Sequence, residues 1–350
     1  MPILRVPNCS IAGISTALPK ETESNKSYPF RSDKERDQFI STTGIHQRHI
    51  APPDRSFIDY ALASSTALLK ELSWESEEIN FIIVVTQTAD FRMPGSAVLL
   101  QDQLGFSKGC GAFDINLGCS GYVYGLNTLM SLMANMPDSK GLLVVGDLSS
   151  RCISPKDRST YPLFSDAITT TAVKWDMDAE AQFNLESDGS GFKAIHIPEG
   201  GSLKPVTSDS VKFDRAEEGI ERRGIDMELH GTDVFHFSLK EVAPNIIRLL
   251  DYSQTSIEQV DYCILHQANL LINQMIGKKL KLADSKMPLS LSSFGNTSSA
   301  SIPVTLCQEL HEELAERKLK LVLSGFGVGL SWGSALIETN QIKCLSPIYL

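Results

Sequence analysis

The sequence predicts an α/β fold made of two halves that repeat one order of elements. Three observations predict it. "LLKELSWESEEINFIIVVTQTAD" (68–90) resembles "IIRLLDYSQTSIEQVDYCILHQAN" (246–269); each runs from the end of an amphipathic helix through a polar, acidic link into an apolar strand. Downstream, "AFDINLGCSGYVYGLNTLMSLM" (112–133) matches "PLSLSSFGNTSSASIPVTLCQEL" (288–310), and "GLLVVGD" (141–147) matches "LKLVLSGFG" (319–327). The strands are near-continuous Val/Ile/Leu runs, which belong in sheets covered by helices on both faces.

In chain order, "GIHQRHIA" (44–51) reads as a surface strand: His46 and His49 have metal-like spacing, but no Cys, Asp or Glu accompanies them, so no metal is expected. "FIIVVTQ" is a strand. "AFDIN" is a buried strand, "LGC" a tight turn permitted by Gly118, and "SGYVYGLNTLMSLM" a helix with Ser120 near its N-cap. The change of half falls in residues 176–183, giving halves 1–178 and 179–350. "ESDGSGF" (186–192) reads as a hairpin turn in the second half. Phe235, Leu239, Val242 and Ile246 form one helical stripe, with a kink expected at Pro244. "LSLSSFGNTSSASIP" then repeats the strand-turn-helix of the first half.

Composition narrows the function classes. A chain of 350 residues, 42% hydrophobic and 21% charged, is long enough for two domains or one large layered unit. Its 32 basic against 42 acidic side chains give a formal charge of −10, which argues against a general nucleic-acid or anionic-membrane surface. Seven cysteines without CxxC pairs suggest neither a disulfide framework nor a zinc site and fit a reducing compartment. "MPILRVPNCS" lacks a charged segment leading into a long apolar stretch, and no run reaches the roughly 18 apolar residues of a membrane span, so a cytoplasmic protein is expected.

Three strand ends carry the candidate chemistry. Cys119 falls at a helix N-terminus, where free amides and the macrodipole are expected to lower its pKa and make the sulfur a nucleophile. The equivalent turn of the second half carries Asn296, and the strand "YCILHQ" ends at His266. A Cys, a His and an Asn are thereby delivered to the ligand-bearing edge of the sheets.

Cys119 in "NLGCSGYVYGL", His266 in "LHQAN", Asn296 in "FGNTSSASIP" and the loop "GFGVGLSWGSAL" (325–336) together resemble the 3-oxoacyl-[acyl-carrier-protein] synthase III family of the thiolase superfamily. The resemblance runs from about Gly44 to Ile337. It implies a thiolase-like, layered α-β-α-β-α fold. Cys119 would take the acyl group from an acyl-CoA, with the backbone amides of Cys119 and Val328 as oxyanion hole and Gly327 and Gly329 supplying unusual backbone angles. His266 and Asn296 would hold the thioester carbonyl of a malonyl-acyl-carrier-protein donor while it loses carbon dioxide. No metal or redox cofactor is implied, and the glycine loop lies in a strand pattern rather than at the opening of a βαβ unit, which argues against NAD.

The resemblance also implies a homodimer, paired through "AFDIN", with Met93 of one subunit at the acyl pocket of the other. Met93 stands where relatives carry a gating Phe. Phe39 could replace a coenzyme-stacking Trp, since Gln38 and Thr42 occupy the usual Trp and Arg positions. Arg151 resembles an arginine near the coenzyme phosphate, and Phe326 is expected on the substrate path. Lys278, Lys279 and Lys281 form the candidate docking patch for the acidic carrier protein, with Arg222 and Arg223 as a second; Leu271 replaces a common docking Arg. The stretch Ser165–Thr171 replaces a glycine-rich family segment. Three readings remain open: a decarboxylating condensing enzyme, a sister acyltransferase moving the acyl group to another acceptor, and a silent subunit of a heterodimer.

Overall fold

Alternation along the strands decides where each helix layer packs. The computed structural model describes residues 3–350, apart from the side chain of Glu217; Met1 and Pro2 of the N-terminal stretch lie outside the described residues. The main strands are β1 (Ile3–Leu18), β2 (Ile79–Val85), β3 (Gly111–Ile115), β4 (Lys140–Asp147), β5 (Ala167–Ser187), β6 (Tyr262–Leu265), β7 (Lys320–Gly327) and β8 (Ser331–Glu338). They form a mixed sheet in the order β6-β7-β8-β5-β4-β2-β3, with β1 antiparallel to β5. β3, β2 and β4 are parallel, as are β6 and β7. The helices are α1 (Asp33–Thr43), α2 (Phe57–Leu72), α3 (Ser96–Gln103), α4 (Gly121–Met133), α5 (Gly231–Tyr252), α6 (Leu270–Leu280), α7 (Leu291–Phe294), α8 (Ser301–Glu309) and α9 (His311–Glu316).

Ile83 and Val85 of β2 join a core with Leu126 and Met130 of α4 and Ile302 and Leu306 of α8, which Leu321 and Leu323 of β7 close from the other half. Ile82 and Val84 pack with Phe57, Tyr60 and Leu68 of α2 and Leu100 of α3. Cys263, Leu265 and Val322 pack with Ile246 and Leu249 of α5 and Ile272 and Ile276 of α6. Helices thus cover each part of the sheet on both sides and fill the middle, the layered α-β-α-β-α order expected. Each fully buried Leu, Ile, Val or Phe contributes roughly 1.5–3 kcal/mol, so the burial of Val123, Leu126 and Leu129 on α4 anchors the turn that precedes it.

Two local expectations need correction, and the expected change of half falls within a strand. Positions 178 and 179 fall inside β5, whose Ala167–Lys174 part pairs with β4 and Ala181–Ser187 part with β8. No linker marks the expected boundary. "ESDGSGF" is not a hairpin turn: β5 continues to Ser187, Asp188 exchanges backbone bonds with Leu330, and its carboxylate caps a short 3-10 turn at Ser190. "LSLS" is not a strand, because Pro288 has no N–H and the Ser290 N–H donates to Gln267 Oε1 at 3.1 Å instead of to a neighbouring strand. α5 continues through Pro244. Among the described residues, no helix is long and apolar enough to cross a membrane.

Candidate active site

Cys119 sits where β3 gives way to α4, tightened by the bond from Gly121 N to Gly118 O at 2.7 Å. Gly118 serves this turn by leaving room: a Cβ there would lie 2.6 Å from Gln87 Oε1, and its φ is not in the left-handed region. Ser120 occupies the N-cap position, but its hydroxyl pairs with Ser331 Oγ at 2.6 Å rather than capping the helix. From the other half, the β7–β8 turn closes on the sulfur. Gly327 has φ +159°, and a Cβ on it would fall 2.7 Å from Cys119 Cβ, so a side chain is excluded there twice over. Gly329, at φ +136°, completes the turn around Val328. The Val328 amide and the Cys119 amide both point at the sulfur.

Cys119 lines two cavities. One, about 250 Å³, extends past Thr88, Asp147, Cys152, Ile195 and Met227. The other, about 220 Å³, holds Phe39, His266, Asn269, Asn296 and Phe326. Cys119, His266 and Asn296 therefore meet at one wall, and Phe39 and Phe326 lie on the same path.

The His266 ring is held by Ser301 Oγ on Nδ1 at 2.7 Å and by the edge of Phe326, with centroids 5.4 Å apart. Burial lowers its pKa to about 3, against the opposing Ser298 backbone, so the imidazole is neutral near pH 7. Asn296 Oδ1 accepts the Ser298 N–H at 3.0 Å, which leaves the carboxamide NH2 to donate into the cavity. Its backbone is pinned by Leu163 O at 3.0 Å and by Ser165 N at 2.9 Å.

That strap rests on Arg48, 0% exposed, which bonds Tyr161 O at 2.9 Å, Asn25 Oδ1 at 3.1 Å and Glu23 Oε2 at 2.7 Å. The segment expected as a surface strand is short, Gln47–His49, and buries Arg48 and His49; the His49 ring bonds Pro19 O at 2.7 Å. Among the described residues, no group of three or more His, Cys, Asp or Glu could hold a metal ion.

The expected low thiol pKa is overturned. Burial first, then the charge of Asp147, pushes Cys119 up from 9.0 to about 12, against the Ser298 hydroxyl and the two amides. That rise amounts to about 4 kcal/mol against the thiolate, whereas a helix N-terminus supplies about 0.3–2 kcal/mol. Desolvation wins, and the resting group is a thiol.

Two expected substrate residues lie outside both cavities of this chain. Arg151 is exposed and donates to Pro52 O at 3.2 Å and to Arg55 O, away from both cavities. Arg158, beside the lining residue Ser159, pairs with Glu35 of α1 at 2.9 Å. Met93 is 85% exposed and lines neither cavity of its own chain. Lys278, Lys279 and Lys281 are exposed at the end of α6, while Arg222 and Arg223 are engaged by Asp157 and Asp226 at 2.6 Å. Sequence reasoning missed Asp147, Ser298 and Arg48. Asp147 carried a usable signal: like His266, it ends an apolar strand on the ligand-bearing edge.

The family model for 3-oxoacyl-[acyl-carrier-protein] synthase III matches residues 113–189, and its C-terminal counterpart matches 250–339. The beta-ketoacyl-[acyl-carrier-protein] synthase III of Clostridium perfringens is 32% identical, covering 95% of this chain and 99% of its own. The chain belongs to the 3-oxoacyl-[acyl-carrier-protein] synthase III family. As a synthase III family member it is an acyl-transferring condensing enzyme. The Xanthomonas campestris relative is 33% identical over 94% of this chain and 97% of its own. A 3-oxoacyl-(acyl-carrier protein) synthase from Burkholderia xenovorans superposes with a TM-score of 0.93 at 33% identity, covering 100% of this chain and 99% of that one. The thiolase-like fold of the synthase III family is thus shared end to end. The matched segments contain Cys119, and His266, Asn296 and Val328, respectively.

Proposed function

We propose that the chain joins an acyl-CoA starter to a malonyl-acyl-carrier protein by decarboxylative condensation, giving a 3-oxoacyl-carrier protein. The observation that carries this reading is the common cavity wall of Cys119, His266 and Asn296. Cys119 sulfur attacks the starter thioester, the amides of Cys119 and Val328 hold the oxyanion, and coenzyme A leaves. The malonyl thioester carbonyl then accepts hydrogen bonds from neutral His266 and the Asn296 NH2. Its C–CO2 bond breaks, the electron pair becomes an enolate, and the enolate carbon attacks the acyl group and releases Cys119. No net oxidation or reduction occurs. The second donor, Asn296, favours condensation over simple acyl transfer, which forms no enolate. Incubation with a panel of acyl-CoAs should add one acyl mass to the intact protein, and adding malonyl-carrier protein should discharge it as 3-oxoacyl carrier protein. An adduct that malonyl-carrier protein never discharges would refute the reading.

The carrier docks, in this proposal, on Lys278, Lys279 and Lys281. Asn269, which caps the start of α6, lines the cavity of His266, and eleven residues of helix place the lysines about 16 Å away. On a chain of charge −10, a local patch must dominate within about one Debye length, roughly 8 Å. Reversing Lys278 and Lys279 to Glu should raise KM for malonyl-carrier protein several-fold at low salt, an effect that fades at high salt. An unchanged KM at low salt would put docking elsewhere.

The homodimer is proposed through β3, an edge strand that pairs with β2. Phe113 on β3 is 39% exposed, and Asp114 of the same strand caps α3 just after Met93, accepting from Ser96 N at 2.6 Å. Met93 could then reach the partner's acyl cavity. Light scattering should report a dimer, and a stable, active monomer would contradict it. All seven cysteines are free, which suits the cytoplasmic location proposed; the halves 1–178 and 179–350 remain the proposed repeat units.

A further inference from the structure

A thiol held near pKa 12 is a poor nucleophile, so something must take its proton as it attacks. His266 faces the other cavity, is bound to Ser301, and is needed for the second step. The wall of the acyl cavity offers Asp147, 2% exposed at the end of β4. Three donors from the end of β2 hold its Oδ1: Gln87 N at 2.7 Å, Thr86 Oγ1 at 3.1 Å and Thr88 Oγ1 at 3.3 Å. They fix the carboxyl orientation and leave Oδ2 buried, with the Ser298 hydroxyl as the remaining donor beside the carboxyl.

Ser298 supplies the connection. It is a non-glycine residue at φ +52°, held there by its N–H bond to Asn296 Oδ1, it lines the same cavity as Cys119 and Asp147, and its hydroxyl acts on both. Burial raises the Asp147 pKa from 3.8 to about 6, against the Ser298, Gln87, Thr86 and Thr88 donors, which is a suitable range for a general base near neutrality. The other titratable groups at this cavity are Cys152, which burial and Asp147 push up to about 11, and His196, whose Nε2 lies 4.0 Å from Glu228.

We propose that Asp147 is the proton acceptor for acylation of Cys119, acting through the Ser298 hydroxyl. This rests on the condensation reading. As the sulfur lone pair forms the bond to the thioester carbon, the S–H proton passes to Ser298 Oγ and the Ser298 proton passes to Asp147 Oδ2. The carbonyl π pair moves onto the oxyanion held by the Cys119 and Val328 amides. Collapse re-forms the carbonyl and breaks the bond to coenzyme A, whose leaving thiolate takes the proton back through Ser298. The carboxylate is restored and the exchange balances. Asp147 is a positioning and relay group, because Ser298 stands between it and the reacting sulfur.

The test measures alkylation of Cys119 by iodoacetamide, mapped by peptide mass spectrometry, and single-turnover loading from butyryl-CoA, both between pH 5 and 9. The parent protein should gain reactivity through an inflection near pH 6. Asp147→Asn and Ser298→Ala should each slow both reactions by about 10²-fold and abolish that inflection. If Asp147 acted only through its charge, Asp147→Asn would speed alkylation, because removing a nearby anion favours the thiolate; a faster variant overturns the relay. So does a retained inflection in Ser298→Ala, which also decides the matter should Asp147→Asn fail to fold. The iodoacetamide arm judges the relay even if no acyl-CoA loads the parent protein, an outcome that would instead overturn the condensation reading.

Discussion

Cys119→Ala should abolish acyl loading altogether and leave the fold standing. The substitution removes one atom, the sulfur, from a residue that is 5% exposed, and keeps the Cβ against which Gly327 packs. Its stability cost should be near the ordinary value for a point change, about 1 kcal/mol, and read as a shift of a few degrees in melting temperature. The loss of function is total by contrast, because the covalent acyl intermediate has no other sulfur to form on: Cys152, on the same cavity wall, lacks the paired amides that face Cys119. Intact-protein mass spectrometry after exposure to acyl-CoA checks this directly. An adduct on the alanine variant equal to that on the parent would remove Cys119 from its role.

The second large effect separates the two half-reactions. Asn296→Ala should still take up the acyl group but condense it about 10²–10³-fold more slowly, the range seen when one donor to a developing oxyanion is removed. The separation is not perfect, and the structure explains the residue of coupling. Asn296 Oδ1 also holds the Ser298 N–H at 3.0 Å, so the variant leaves that buried donor unpaired and loosens the hydroxyl that faces Cys119. Acyl loading should therefore fall a few-fold while condensation falls by orders of magnitude. Measuring both rates on one preparation gives the ratio; condensation at the parental rate would end the decarboxylative role of Asn296.

Much of this site was legible because its signals are local. A cysteine between an apolar strand and a glycine-spaced helix, a histidine ending a strand and an asparagine in a Gly-Asn-Thr turn each announce a strand end, and the duplicated order of elements brings those ends together. The layer order was legible for the same reason, since the strands are apolar on both faces. What escaped depends on contacts between distant segments. The thiol pKa is set by burial and by Asp147, neither visible in "LGCSG". Ser298 matters through a backbone angle imposed by its neighbour. "LSLS" alternates like a strand, yet Pro288 and the Gln267 side chain take it out of the sheet. Arg151 and Arg158 are both arginines after an apolar strand, and only the surrounding packing distinguishes the one tied to the Pro52–Arg55 turn from the one paired with α1.

The uninterrupted course of β5 bears on how the enzyme must move. One extended strand is stitched to β4 at its start and to β8 at its end, with β1 bonded along both parts. The segments bearing Cys119 and those bearing His266 and Asn296 are therefore welded across a common ladder, and prising them apart would rupture backbone hydrogen bonds in the interior. A jaw-like opening is closed to this architecture. Substrates are then expected to enter through the cavity openings rather than between parting halves, over a backbone frame that stays paired.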